Sequence, residues 1–194
     1  EDIHARTSRE VFGPFSPMAP EEQRRRSKMI NYALLYGKTA FTLAKDLGVS
    51  RREAEAFIEA YFSRYPSVRQ FIDDTIARAR ETGMVRTLLG RLRRLPELTS
   101  GNFQVRSEAE RQAINTPVQG SAADLIKKAM IGLHAELARG RMGSRLILQI
   151  HDELLLEVPE AEAEEARALV KEIMEGALAL DVPLVVDARI GGSW

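Results

Sequence analysis

The stretch RRRSKMINYALLYG, residues 24–37, contains no proline, and its single glycine is the last residue. Acidic Glu21 and Glu22 precede it where a helix would begin, and Gly37 stands where one would end. A helix is therefore expected over about 21–37. Within it Arg24, Lys28, Tyr32 and Tyr36 recur at four-residue steps and share one face, drifting only about 40° per step. Ile30, Ala33 and Leu34 fall on the opposite face. The stripe is roughly 18 Å long at about 1.5 Å per residue, cationic at its N-terminal end and aromatic at its C-terminal end. Those dimensions and charges suit a nucleoside triphosphate lying lengthwise. Its phosphates would meet Arg24 and Lys28, aided by the positive helix N-terminus, and its base would stack towards Tyr32 and Tyr36. On a generic helix the same spacing describes tyrosines in a core and cations in water.

Before this helix, FGPFSPMAP (12–20) carries three prolines and a glycine and is expected to be irregular. Further helices are expected over 40–47, 51–65 and 67–81, bounded by Gly48, Pro66 and Gly83. MVRTLLGRLRRLP (84–96) reads as a basic turn or short hairpin. A helix ending near Thr116, a break over 117–120 and a second helix capped by Ser121 come next. RLILQI (145–150) and ELLLEV (153–158) are β-like runs separated by His151 and Asp152. An acidic amphipathic helix from 161 to about 180 and a last strand, VPLVVDARI (182–190), complete the chain. The expected class is α+β: a helical first part, then an antiparallel sheet covered by helices.

With 194 residues and 44% hydrophobic content, the chain is long enough to bury a core. It has no cysteine, so disulfides and thiolate metal sites are excluded. No apolar run approaches the roughly 20 residues that span a bilayer, and no leader pattern opens the sequence, so a cytoplasmic protein without membrane contact is expected. The net charge of +0 conceals a polarity: residues 1–94 hold 18 Lys/Arg against 12 Asp/Glu, a net +6, and residues 95–194 hold 10 against 16, a net −6. The first part is the one suited to meet phosphate.

LQIHDELLLEV (148–158) would present His151, Asp152 and Glu153 at the exposed tip of a tight turn, where adjacent carboxylates can ligate a divalent metal. Polar residues also occupy turns for no other reason than solvation. Arg111, Asn115 and Gln119 follow one another at four-residue spacings, the first two on one helical face. Such long donors and acceptors can reach the minor-groove acceptors common to correct base pairs.

The pattern R-x-x-x-K-x-x-x-(F/Y)-x-x-x-Y-G resembles the fingers-helix motif of family A (polymerase I-like) DNA polymerases, with the register fixed at Arg24. H-D-E between hydrophobic strands resembles that family's palm motif, and ERQAINTPVQGSAADL resembles its minor-groove motif. The likeness runs from DIH at Asp2–His4 to IGGSW at the C-terminus. It implies that Lys28 is both phosphate ligand and general acid, and that His4 touches the triphosphate. It further implies that Asp152 is a metal ligand with Glu153 a secondary carboxylate, both towards magnesium, two ions in the complete enzyme. His151 would contact the primer terminus, with Gln149 a fourth minor-groove member beside Arg111, Asn115 and Gln119. On this likeness residues 1–105 are a fingers region and 106–194 part of a palm with its carboxylate hairpin at about 145–158. The partners implied are primer-template DNA, deoxynucleoside triphosphates and upstream palm and thumb segments of the same polymerase, in the nucleoid of a bacterial cytoplasm. The family's first palm aspartate lies in a D-Y-S-Q-I-E-like strand upstream of DIH, so the 194 residues alone are expected not to polymerise. A non-catalytic nucleic-acid-binding module and a single-subunit RNA polymerase fragment are the rival readings; H-D-E rather than H-D-S favours DNA polymerase.

Overall fold

The computed structural model describes residues 2–13 and 18–193, so most of the irregular connection expected at 12–20 lies outside the described residues. Its contacts divide the chain into two compact units, Glu1–Val118 and Gln119–Trp194.

In the first unit five helices follow one another: α1 (Ile3–Phe12), α2 (Pro20–Leu35), α3 (Ala40–Leu47), α4 (Arg51–Arg64) and α5 (Pro66–Thr82). Local chemistry sets their ends. Asp2 caps α1, Pro20 opens α2, Thr39 caps α3, and Ser50 and Glu53 form a reciprocal capping box on α4. Helix α1 is absent from the sequence expectations, which assign no element between DIH and the proline-rich connection. Ile30, Ala33 and Leu34 of α2, Leu43, Ala44 and Leu47 of α3, and Ala54 and Tyr61 of α4 make one buried cluster, with Val11 and Phe12 of α1 against it. The expected apolar face of α2 is therefore the buried one. Strands β1 (Met84–Arg86) and β2 (Leu92–Arg94) pair antiparallel as a short basic hairpin. It leads into α6 (Phe103–Asn115), whose Ala109 and Ala113 join Ala79, Val85, Leu95 and Leu98 in a second cluster.

At Thr116–Gly120 the expected break is instead a π-helical turn. Pro117 removes a helical donor, and a wider turn accommodates that loss without interrupting the coil. Gly120 keeps helical backbone angles, so Ser121 is an interior helical residue and not a cap. The second unit holds α7 (Ser121–Arg139), the antiparallel pair β3 (Arg145–Ile150) and β4 (Glu153–Glu157), and α8 (Ala163–Glu175). Ile126, Ala129, Met174 and Ala177 form its core with Leu125, Leu154, Val170 and Val186. The Glu162 carboxylate accepts from Gly143 N at 2.9 Å, Ser144 N at 3.0 Å and Ser144 Oγ at 2.7 Å, fastening the start of β3 to the segment before α8. These bonds, the Gly143 amide first, hold its carboxyl below the usual range.

Two expectations fail here. The acidic helix is shorter, ending at Glu175 before Gly176. The last strand does not form: among the described residues 182–190 pair with no strand, and Val185 is 81% exposed. A β-like run becomes a strand only where a neighbour accepts its backbone hydrogen bonds, and here Val186 N donates to the Glu175 side chain at 3.0 Å. Among the described residues no helix is long and apolar enough to cross a membrane.

Gly37 ends α2 with φ 70°, and a Cβ there would lie 3.0 Å from Ile114 Cδ1 and 3.6 Å from Arg111 Cγ of α6. Gly48 ends α3 with φ 65° and has nothing within 4 Å of such a Cβ. Gly48→Ala should cost about 1–2 kcal/mol from backbone strain alone. Gly37→Ala should cost that and about 1–3 kcal/mol more from overpacking. Urea unfolding of the two variants measures the difference, and equal midpoints would refute the close approach of α2 to α6.

Candidate nucleotide-binding face and carboxylate turn

Three arginines open the face of α2, and the acidic residues around them sort their roles. Glu22 takes Arg25 at 2.7 Å and Arg26 at 2.8 Å, and these guanidiniums hold its carboxyl at about 2. Arg24 Nε donates to Asp2 Oδ2 at 2.6 Å. The other Asp2 oxygen accepts from His4 N at 2.8 Å and Ala5 N at 3.2 Å as the cap of α1. Arg24 first, then the Ala5 amide, holds the Asp2 carboxyl at about 2, so the pair stays ionised far below neutral pH. Arg24, expected to be free for phosphate, is thus already matched by a carboxylate; a phosphate must compete with Asp2 or share the guanidinium with it. Lys28 has no carboxylate partner among the described residues, and its Nζ lies 5.9 Å from the Tyr32 ring centroid.

The aromatic end is assembled as the spacing predicts. Tyr32 and Tyr36 stack with centroids 6.1 Å apart and 11° between planes, and His4 meets Tyr32 at 5.7 Å and 49°. Tyr32 is 46% exposed, so it belongs to the surface and not to the core. Beside the two tyrosines lies a groove of about 430 Å³ lined also by Met29, Lys38 and Asp46, the last two paired at 2.6 Å. His4, Arg24, Lys28, Tyr32 and Tyr36 therefore form one face. Sequence reasoning missed two residues that build it: Asp2, whose place before a helix is an N-cap signature, and Asn31, a polar residue inside the apolar stripe.

Where α2 ends, Gly37 packs on α6 beside Arg111. Arg111 is held by Glu108, its Nε donating at 3.1 Å, and by Ser107 Oγ at 3.4 Å from Nη1. Hydrogen bonds from Arg111, then Gln112, draw the Glu108 carboxyl below its ordinary range. Asn115 presents a buried Oδ1 with no donor among the described residues, at the end of α6. Gln119 is exposed within the π-helical turn and belongs to the second unit.

In that second unit a two-residue turn joins Ile150 to its partner Glu153. His151 is its first residue and has φ 55°, a left-handed backbone that a hairpin of this length ordinarily assigns to glycine. Gln149 Nε2 donates to the His151 carbonyl at 2.5 Å, bracing the turn from β3. The side chains of Asp152 and Glu153 are exposed and make no hydrogen bond or ion pair among the described residues. Two adjacent uncommitted carboxylates fit one side of an oxygen-rich magnesium shell. Among the described residues there is no group of three or more His, Cys, Asp or Glu arranged to hold an ion, so the remaining ligands would come from water, phosphate or other polypeptide.

The family model described as "DNA polymerase family A" matches residues 1–194. The chain is 48% identical over 193 residues to DNA polymerase I of Bacillus caldotenax, covering all of this chain and 22% of that protein. It is 49% identical over 194 residues to the thermostable DNA polymerase I of Thermus filiformis, covering 23% of it. The chain thus spans less than a quarter of the length of these curated relatives. Among solved structures, the POL domain of Pol1 from M. smegmatis, in complex with DNA primer-template and dNTP, matches with TM-score 0.87 and 47% identity over 95% of this chain and 32% of that one. The family model covers the whole chain, and the chain belongs to DNA polymerase family A.

Proposed function

We propose that this chain supplies the nucleotide-binding and primer-terminus parts of a DNA-directed DNA polymerase, with residues 1–105 acting as fingers and 106–194 as part of the palm. The observation that carries the reading is the single face where His4 of α1 meets Lys28, without a carboxylate partner among the described residues, and the stacked Tyr32 and Tyr36, running from cation to aromatic ring. The M. smegmatis relative, solved with primer-template DNA and dNTP, supports the same two ligands for this chain.

In the reaction the primer 3′-hydroxyl attacks the α-phosphate of an incoming deoxynucleotide and pyrophosphate leaves. Lys28 binds the phosphates and delivers a proton to the departing pyrophosphate, while Arg24 shares its guanidinium between Asp2 and phosphate. Tyr32 and Tyr36 present ring faces to sugar and base. His151 bears on the primer terminus. Arg111, Asn115, Gln119 and Gln149 test the minor groove, where every correct pair offers the same acceptors. Asp152 and Glu153 would hold magnesium, whose chemistry when bound is to neutralise and polarise phosphate oxygens, two ions being held once the carboxylates of another palm strand are present. The cytoplasm, beside nucleoid DNA, is the setting this activity requires.

The 194-residue chain alone should not extend a primer with magnesium, and extension should appear when upstream palm and thumb segments are added. In that restored enzyme Asp152→Asn should abolish extension, because it removes a metal-binding charge while keeping shape, and Glu153→Gln should act more mildly. Gel-resolved primer extension reads both; near-normal rates in Asp152→Asn would make the turn merely structural. Tyr32 yields a specificity prediction. Its hydroxyl has no partner among the described residues, so against a nucleotide sugar it can stand in for a missing 3′-hydroxyl. Tyr32→Phe should raise discrimination against dideoxynucleotides at least ~10-fold, about 1.4 kcal/mol, in the ratio of kcat/KM for deoxy and dideoxy substrates. An unchanged ratio would mean that Tyr32 does not face the sugar.

A further inference from the structure

The contact between α1 and α2 contains a chain of polar groups that packing alone does not require. Asn31 is 4% exposed and Thr7 0% exposed. Thr7 Oγ1 donates to Asn31 Oδ1 at 3.1 Å and also lies 2.9 Å from the Ile3 carbonyl. Asn31 Nδ2 lies 3.0 Å from His4 Nδ1. The hydroxyl has one proton to give. The Ile3 carbonyl stands in the first turn of α1, where the helical ladder already supplies an amide donor. Asn31 Oδ1 has no other donor among the described residues, and a buried amide oxygen without one is costly. With the Asn31 amide oriented as it stands, oxygen towards Thr7, the Thr7 proton goes to Asn31 Oδ1 and the Ile3 carbonyl keeps its ladder amide. With its oxygen turned to Thr7, Asn31 turns its NH₂ to His4, and His4 Nδ1 must accept. The ring proton then sits on Nε2.

We infer that Asn31, itself oriented by Thr7, is a positioning residue for triphosphate binding: it locks His4 in the Nε2–H tautomer, so that a fixed N–H donor stands with Lys28 and Arg24 on the face that meets phosphate. The inference rests on the proposed nucleotide face and adds to it the group that sets one ligand's proton. Two observations tie the ring to that face: His4 packs on Tyr32 at 5.7 Å, and the His4 amide and the Arg24 guanidinium share the carboxylate of Asp2. A histidine free to exchange tautomers would offer phosphate a lone pair part of the time. Held by Asn31, it offers a donor at all times, and the orienting amide and hydroxyl stay out of water.

The test uses the 15N-labelled chain, which has three histidines, His4 being identified by the signal lost in His4→Gln. Long-range proton–nitrogen correlation spectra distinguish a protonated ring nitrogen from one bearing a lone pair. The wild type should show a single tautomer with the proton on Nε2. Asn31→Asp keeps the shape but has no N–H to give, and should move the proton to Nδ1; Thr7→Val frees the amide to turn and should give a mixture. Inorganic triphosphate, titrated without metal, should perturb His4 Nε2 in the wild type. Its apparent Kd should rise roughly 2-fold in Thr7→Val, where the donor tautomer is about half populated, and roughly 10-fold in His4→Gln, where the ring N–H to the anion is gone. A wild-type ring that is mixed or protonated on Nδ1, or a His4 signal that triphosphate leaves unmoved, overturns the inference. So does a tautomer mixture in Thr7→Val with unchanged triphosphate affinity, which would leave the network a purely structural tie between α1 and α2. Lys28→Ala separates the two levels: affinity lost there but unaltered in Thr7→Val and His4→Gln keeps the nucleotide face and removes the positioning role, whereas affinity unaltered in Lys28→Ala as well removes the face itself.

Discussion

Burial of Ile30, Ala33 and Leu34 against α3 and α4 fixes the rotation of α2, and most of what the first unit offers a ligand follows from that rotation. Successive helical residues are about 100° apart, so a helix that seats these three side chains in the core must turn positions 24, 28, 32 and 36 away from it. The cost of rotating even one residue out of register is the exposure of fully buried Ile30, and with it about 1.5–3 kcal/mol of transfer free energy. The core thus acts as the clamp that presents the stripe. Gly37 completes the arrangement by letting α2 end directly against α6, close to Arg111.

On that presented face, charge is distributed unequally by design of the neighbours. Arg25 and Arg26 share Glu22, and Arg24 is matched by Asp2, which leaves Lys28 as the cation of the stripe without a carboxylate partner among the described residues. An ammonium is a compact point charge that can both bind phosphate and part with a proton, whereas guanidiniums hold theirs. The arrangement accordingly puts an ammonium, which unlike the arginines can part with its proton, between the arginine end and the aromatic end. Asp2 serves twice, as cap of α1 and as anchor of Arg24, so the helix bearing His4 and the helix bearing Lys28 are joined by a single carboxylate.

The carboxylate turn depends on a different economy. Two residues suffice to reverse the chain between β3 and β4, and this brevity puts Asp152 and Glu153 side by side in water with no cation paired to them among the described residues. His151 occupies a left-handed conformation there although it has a Cβ, a strain that persists because the hairpin on either side dictates it. The hairpin is in turn fastened by the Glu162 carboxylate at the start of β3 and by Leu154 in the core with α7 and α8.

Helix periodicity, glycine and proline punctuation, capping residues and the tight turn act over a few positions, and the sequence by itself therefore determined the stripe from Arg24 to Tyr36, the helices that follow it up to Thr82, the basic hairpin, the His151–Asp152 turn and the family. Tertiary structure decided what depends on distant partners. Asp2 reaches Arg24 across 22 positions and Asn31 reaches His4 across 27, and neither pairing leaves a local mark. The π-helical turn at 116–120 shows the same limit, since Pro117 signals a lost donor but not whether the coil ends or widens. VPLVVDARI has the composition of a strand and forms none, because strand character is completed only by a neighbour that takes up the backbone hydrogen bonds, and whether a neighbour is present is a property of the fold and not of the segment.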